Sequence, residues 1–160
     1  MQSDLPVDSV NEAAAKGAKQ APQFVTTVTP VDVDNLGTEQ NGFLIVYRDS
    51  CPFCRALRGT LADLLLQMHT DDALRPKDVQ LLFLDSDAHG EYTRSRLAVR
   101  SVPTIFVVDG GRVRQWSDAD KVVTSRADGT IVKQLPIAAM LATLRRLTRQ
   151  QRLQAAAATK

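Results

Sequence analysis

Phe43-Leu44-Ile45-Val46-Tyr47-Arg48-Asp49-Ser50-Cys51-Pro52-Phe53-Cys54 is the stretch on which the fold of this chain turns. Its first five residues form an unbroken apolar run, the pattern of a short strand covered on both faces. Downstream, Leu57, Leu61, Leu64, Leu65 and Met68 recur at the spacing of one helix face. The two cysteines therefore lie where a buried strand gives way to an amphipathic helix. They are the only cysteines in the 160 residues. A disulfide-stapled secreted fold would spread several pairs over distant segments. A bridge across so short a span would also constrain the unfolded chain little. Chemistry is the better reason for the pair.

Further out, Leu81-Leu82-Phe83-Leu84 and Ile105-Phe106-Val107-Val108 read as two more buried strands. Asp109-Gly110-Gly111 is a turn signal leading into Val113-Arg114-Gln115-Trp116, which predicts a hairpin. On the N-terminal side, Phe24-Val25-Thr26-Thr27-Val28-Thr29 ends at Pro30 and suits an edge strand. Residues 31–42 are acidic and turn-like, with room for one short helix. Val122-Val123-Thr124 and Thr130-Ile131-Val132 flank a second turn signal, Asp128-Gly129, and the pattern leaves open whether that pair joins the sheet. Ile137, Met140, Leu141, Leu144 and Leu147 mark a last helix with Pro136 near its first position. Strands alternating with helices before a closing hairpin predict an α/β fold: a central mixed sheet with helices on both faces. Residues 1–22, Ala-rich and without aromatics, are expected to be a flexible tail, 23–148 the domain, and 149–160 a fraying helix end.

Composition narrows the function. An apolar content of 44% suffices for a packed core without metals or multiple disulfides. A net charge of +2 argues against nucleic acid as partner, and no apolar run is long enough for membrane insertion. The thiolate is the reactive form of cysteine, and a free thiol, with a pKa of roughly 8.5, is mostly protonated at neutral pH. A position at the start of the long helix favours the anion at Cys51, with Pro52 at the first helical position. Arg55 and Arg58 add positive charge nearby, while Asp49 opposes it. Cys54 lies one turn on, within reach of a mixed disulfide at Cys51. Cys51 is thus the expected nucleophile, accessible to solvent, and Cys54 the resolving thiol. A zinc site would need further ligands, and His69 and His89 lack finger-like spacing, so no metal is expected.

A second stretch, Val99-Arg100-Ser101-Val102-Pro103-Thr104-Ile105-Phe106-Val107-Val108-Asp109-Gly110-Gly111, follows the CxxC in the right order and at the right distance. With it, the chain resembles the thioredoxin superfamily over about residues 24–148. The resemblance implies a thioredoxin-like fold and a thiol–disulfide oxidoreductase that forms mixed disulfides with protein thiols. It implies a cis bond before Pro103 and a Val102 backbone offered to an incoming peptide, with Pro52, Phe53 and Thr104 beside them at the substrate contact. The redox-active Cys51–Cys54 disulfide would then be the only cofactor, and a monomer is expected. Three positions depart from thioredoxin itself. Ser50 stands where that family has tryptophan, Ile45 where it has a buried aspartate, and Pro-Phe where it has Gly-Pro. The dipeptide is closer to glutaredoxins and exported disulfide-forming enzymes. A glutaredoxin-like reductase acting on glutathione adducts is the alternative, although Gly110-Gly111-Arg112 comes too early for that family's glutathione-holding segment. A non-catalytic client-binding module is the other. These departures, with the Ala-rich tail, favour an exported, periplasm-like setting over a cytoplasmic one. They also favour a reduction potential of about −230 mV or higher, above that of thioredoxin. Tyr47 and Trp116 are read as core, Asp85 as a strand-end carboxylate, and Arg145, Arg146, Arg149 and Arg152 as a solvated helix face.

Overall fold

The computed structural model describes residues 23–48, 50–51, 54, 57–117, 123–127 and 130–158. In chain order these form β1 (Val25–Thr27), α1 (Pro30–Asp34), β2 (Gly42–Tyr47), α2 (Arg58–Thr70), β3 (Gln80–Asp85), α3 (Gly90–Ser95), β4 (Thr104–Asp109), β5 (Arg112–Gln115), β6 (Val123–Ala127), β7 (Thr130–Gln134) and α4 (Ile137–Ala158). The first five strands make one sheet in the order β1-β3-β2-β4-β5. β1 and β2 run parallel to β3, while β4 is antiparallel to both β2 and β5. β2 lies at the centre and all six of its residues are buried, as its unbroken apolar run requires.

Side-chain parity sorts the core into two layers. Phe43, Ile45, Phe83, Ile105 and Val107 point to the face covered by α2 and α4, where Leu57, Leu61, Leu64, Leu65, Met68, Met140, Leu141, Leu144 and Leu147 meet them. Leu44, Val46, Leu82, Leu84, Phe106 and Val108 point to the other face and meet Val33 of α1 and Tyr92 of α3. Helices thus cover both faces of a mixed sheet.

Local chemistry explains the shorter elements. α1 opens with a reciprocal cap: the Asp32 backbone N–H donates to Thr29 Oγ1 at 3.3 Å, and the Thr29 backbone N–H donates to Asp32 Oδ2 at 2.9 Å. The β4–β5 turn uses Gly110 and Gly111 at φ +58° and +80°. It is tied back by Asn41, whose Oδ1 accepts from the Gly110 backbone N–H at 2.8 Å.

α4 runs through residues 149–158, the segment expected as a fraying helix end. At residues 151 and 152 it meets loops outside the helix. Arg152 reaches Asp78 at 3.3 Å, and Asn41 Nδ2 donates to Gln151 Oε1 at 3.4 Å. The β6–β7 pair forms its own two-stranded antiparallel sheet rather than joining the main one. The 1–22 tail, Val122 and the Asp128-Gly129 turn fall outside the described residues. Among those described, no helix is long and apolar enough to cross a membrane.

Gly42 starts β2 at φ +142°, and a Cβ there would come within 1.8 Å of the Gln80 carbonyl oxygen, its ladder partner. Gly42→Ala should therefore cost about 2–4 kcal/mol, because backbone must move in the central strand pair. Urea unfolding followed by far-UV circular dichroism measures it.

Candidate functional site

β2 delivers the chain to Arg48 at the C-terminal edge of the sheet, and both cysteines follow within one loop. Cys54 is helical, and the Leu57 backbone N–H donates to its carbonyl at 3.1 Å. The described helix starts at Arg58, and the Leu61 N–H donates to the Leu57 carbonyl at 2.8 Å. Cys51, three positions before Cys54, is not itself helical. Asp49, Pro52, Phe53 and Arg55 lie outside the described residues.

Both thiols are unbridged and both are buried, Cys51 at 6% and Cys54 at 1% exposure. An open Cys51 was expected. It belongs to the apolar cluster between the sheet and helices α2 and α4. Each sulfur has a backbone partner. The Arg48 N–H donates to Cys54 Sγ at 3.3 Å, and the Cys51 thiol donates to the Val102 carbonyl oxygen at 3.6 Å. Burial pushes the Cys54 thiol up to about 12, and a side-chain hydrogen bond with Cys51 adds to this, against the lowering effect of the Arg48 N–H. The two thiols thus lie near each other.

The carbonyl that meets Cys51 belongs to the loop entering β4. There the Val102–Pro103 peptide bond is cis. β2 and β4 pair Val46 with Thr104, which fixes this loop opposite the cysteine loop at the same sheet edge. A CxxC following the central parallel strand thus faces a proline loop preceding its antiparallel neighbour. The fold is thioredoxin-like. Val102 and Pro103 are half-buried beside the pair, and the Thr104 hydroxyl turns back to donate to the Ser101 carbonyl.

No family model matches the sequence, and no curated protein does. Among solved structures, the J-Trx1 fragment of ERdj5 aligns at TM-score 0.49 and 16% identity, over 79% of this chain and 51% of that one. The first thioredoxin domain of mouse protein disulfide-isomerase A4 aligns at 0.49 and 14%, over 78% and 74%. The Trx4 domain of ERdj5 aligns at 0.43 and 14%, over 76% and 92%. This chain thus spans about half the length of the first of them. These scores are low, and the thioredoxin-like assignment rests on the strand order and the facing loops.

In the thioredoxin-like frame the remaining candidates resolve into structural roles. Ile45 is fully buried in the helix-covered layer. Tyr47 stacks edge-on against Phe83 at 6.0 Å, and Trp116 against Phe43 at 5.0 Å, so both are core. Asp85 accepts from the Asp87 backbone N–H at 2.8 Å and shapes the turn after β3. Arg145 and Arg152 hold Asp71 and Asp78 at 2.7 and 3.3 Å, so part of the basic helix face is engaged within the chain. His69 packs on Phe24 at 4.9 Å. Among the described residues, no three His, Cys, Asp or Glu side chains gather to hold a metal ion. Three arginines were not singled out from sequence: Arg48, Arg94 and Arg100 line a pocket next to Val102. Arg100 lies two positions before Val102, a signal that was available. Only the topology brings Arg94 there.

A thiol held above its ordinary value binds its proton more tightly in the folded state than in the unfolded one. Its contribution to stability is complete below about pH 9, where the unfolded thiol begins to ionise, and is lost as the pH climbs toward about 12. Reduced protein should therefore lose stability above pH 9 more steeply than Cys54→Ser, by on the order of a few kcal/mol. Denaturant midpoints across that range, compared between the two proteins, measure the difference.

Proposed function

We propose that this protein is a thiol–disulfide oxidoreductase that exchanges disulfides with protein thiols through a mixed disulfide at Cys51. The observation that carries the proposal is the paired geometry. Two unbridged thiols lie side by side, the outer one against the Val102 carbonyl and the inner one on the Arg48 amide.

In the oxidising direction a client thiolate attacks Cys51 Sγ of the Cys51–Cys54 disulfide. The S–S bond breaks, and Cys54 leaves as a thiolate that takes up a proton. A second client thiolate then attacks the client sulfur of the mixed disulfide and expels Cys51. Two electrons and two protons pass from the client dithiol to the protein, and the reverse order reduces a client disulfide. No cofactor is needed beyond the disulfide itself. The inner thiol biases the cycle. Attack by Cys54 on a mixed disulfide requires its thiolate, and burial opposes ionisation. The mixed disulfide therefore persists long enough for a second client thiol to act, which favours disulfide formation or isomerisation over rapid reduction. The backbone of Val102, at the edge of the cysteine pair, suits main-chain pairing with an extended client segment.

Three outcomes test the proposal. Cys54→Ser should accumulate mixed disulfides with a model dithiol client while Cys51→Ser forms none, as seen on non-reducing gels. Mixed disulfides on Cys51→Ser at the wild-type level would reverse the roles. Cys51, the less buried thiol, should be alkylated at least about tenfold faster than Cys54 at neutral pH, compared in the two single variants by mass spectrometry. Equilibration with glutathione buffers should give a potential of about −230 mV or less negative, and a thioredoxin-like value near −270 mV would mark the protein as a reductant.

A further inference from the structure

Beside the cysteine pair lies a pocket of about 490 Å³, within the range of ligand sites. Arg48, Arg94 and Arg100 reach it from three parts of the chain: the end of β2, helix α3 and the loop entering β4. None of the described residues that line it is acidic. One wall is Val102, whose carbonyl oxygen meets Cys51 Sγ at 3.6 Å. A group seated in the pocket is thus one residue away from the sulfur.

Among the described residues, the three guanidinium groups are poorly neutralised. Arg48 faces Asp87 at 3.9 Å with both side chains about half exposed, a pairing that contributes little. Arg94 and Arg100 are exposed and have no acidic partner among the described residues. Arg96, on the same short helix, shows the contrast: it pairs with Asp34 at 3.5 Å and lies over the Tyr92 ring. Arg94 instead folds over Gly90, with Nη1 3.0 Å from where a Cβ would stand. Like charges around a concavity focus a positive potential. Arginine also presents the planar fork that matches a carboxylate.

We infer that this pocket selects clients bearing an aspartate or glutamate next to the cysteine that meets Cys51. The inference rests on the exchange reaction proposed above. A carboxylate is the anion that an unmodified polypeptide client carries, and main-chain pairing at Val102 would set the residue flanking the reactive cysteine over the pocket mouth.

The test uses Cys54→Ser, in which the mixed disulfide cannot be resolved internally. Its substrates are symmetric disulfides of a single-cysteine peptide with Glu, Gln or Lys on both sides of the cysteine. Cys51 thiolate attacks one peptide sulfur, the peptide S–S bond breaks and one peptide thiolate leaves, so no further oxidant or reductant is involved. Rates of adduct formation are read by mass spectrometry and divided by the rate of each disulfide with mercaptoethanol, which removes its intrinsic reactivity. The Glu peptide should exceed the Lys peptide by at least about tenfold at low ionic strength, and the ratio should approach one in about 0.5 M salt. Arg94→Gln and Arg100→Gln should each reduce the ratio severalfold. A second arm titrates wild-type protein with a fluorescent Glu peptide carrying serine in place of cysteine, read by anisotropy. Ready exchange with equal normalised rates would overturn the pocket inference and leave the exchange reaction standing. Arginine-dependent binding of the Glu peptide without exchange on any peptide would do the reverse. Absence of both would overturn both.

Discussion

Strand β2 is hydrogen-bonded along both edges, parallel to β3 on one side and antiparallel to β4 on the other. Everything at the site depends on that double pairing. A parallel neighbour sends the chain away from the same edge of the sheet at which β2 ends, whereas an antiparallel neighbour enters from it. The cysteine loop leaving β2 and the proline loop entering β4 are therefore forced together, although about fifty residues of chain separate them. Because side chains alternate across the pleat, the register also decides which layer each residue joins. A slip by one position would exchange the two cores and turn Ile45 and Ile105 toward the wrong helices.

The two layers are closed by different means. On the α2–α4 face the contact is almost wholly apolar, and its outer margin is stitched by ion pairs between α4 and the segment after α2. Asp71, half-buried, is held below the ordinary carboxylate range: burial works against this, and the Ala73 amide and Arg145 outweigh it. On the opposite face, two short helices suffice because the loops between them supply side chains. There Tyr92 donates to Asp34 Oδ1 at 2.7 Å, linking α3 to α1 across the sheet, and burial with that carboxylate pushes its hydroxyl up to about 12.

The parts of this arrangement that could be read from sequence are those set by local pattern. The run Phe43–Tyr47, the leucines of α2 and the glycine pair at 110–111 each report their own surroundings, and the five-stranded sheet with helices on both faces follows from their order. The pairing of Cys51 and Cys54 was equally legible, being a matter of spacing. What escaped was set by residues far apart. The burial of Cys51 and its contact with the Val102 carbonyl depend on chain that returns about fifty residues later. The contacts of α4 with Asp78 and Asn41 involve polar residues in loops that carry no helix signal. The separate β6–β7 sheet left no periodic trace that distinguishes it from a sixth and seventh strand of the main one.

Both sulfurs lie in the same apolar cluster that joins the sheet to α2 and α4. Oxidising the pair and folding the chain are then two sides of one thermodynamic square, and any difference in how well the core packs around a dithiol and around a disulfide must appear in the potential. For a two-electron couple, about 1.4 kcal/mol of such a difference moves the potential by about 30 mV. Leu57, Leu61 or Trp116 could thus retune the sulfur chemistry without touching sulfur, through the volume they leave for it. In the proposed exchange reaction, the packed interior would then set the redox poise of the pair.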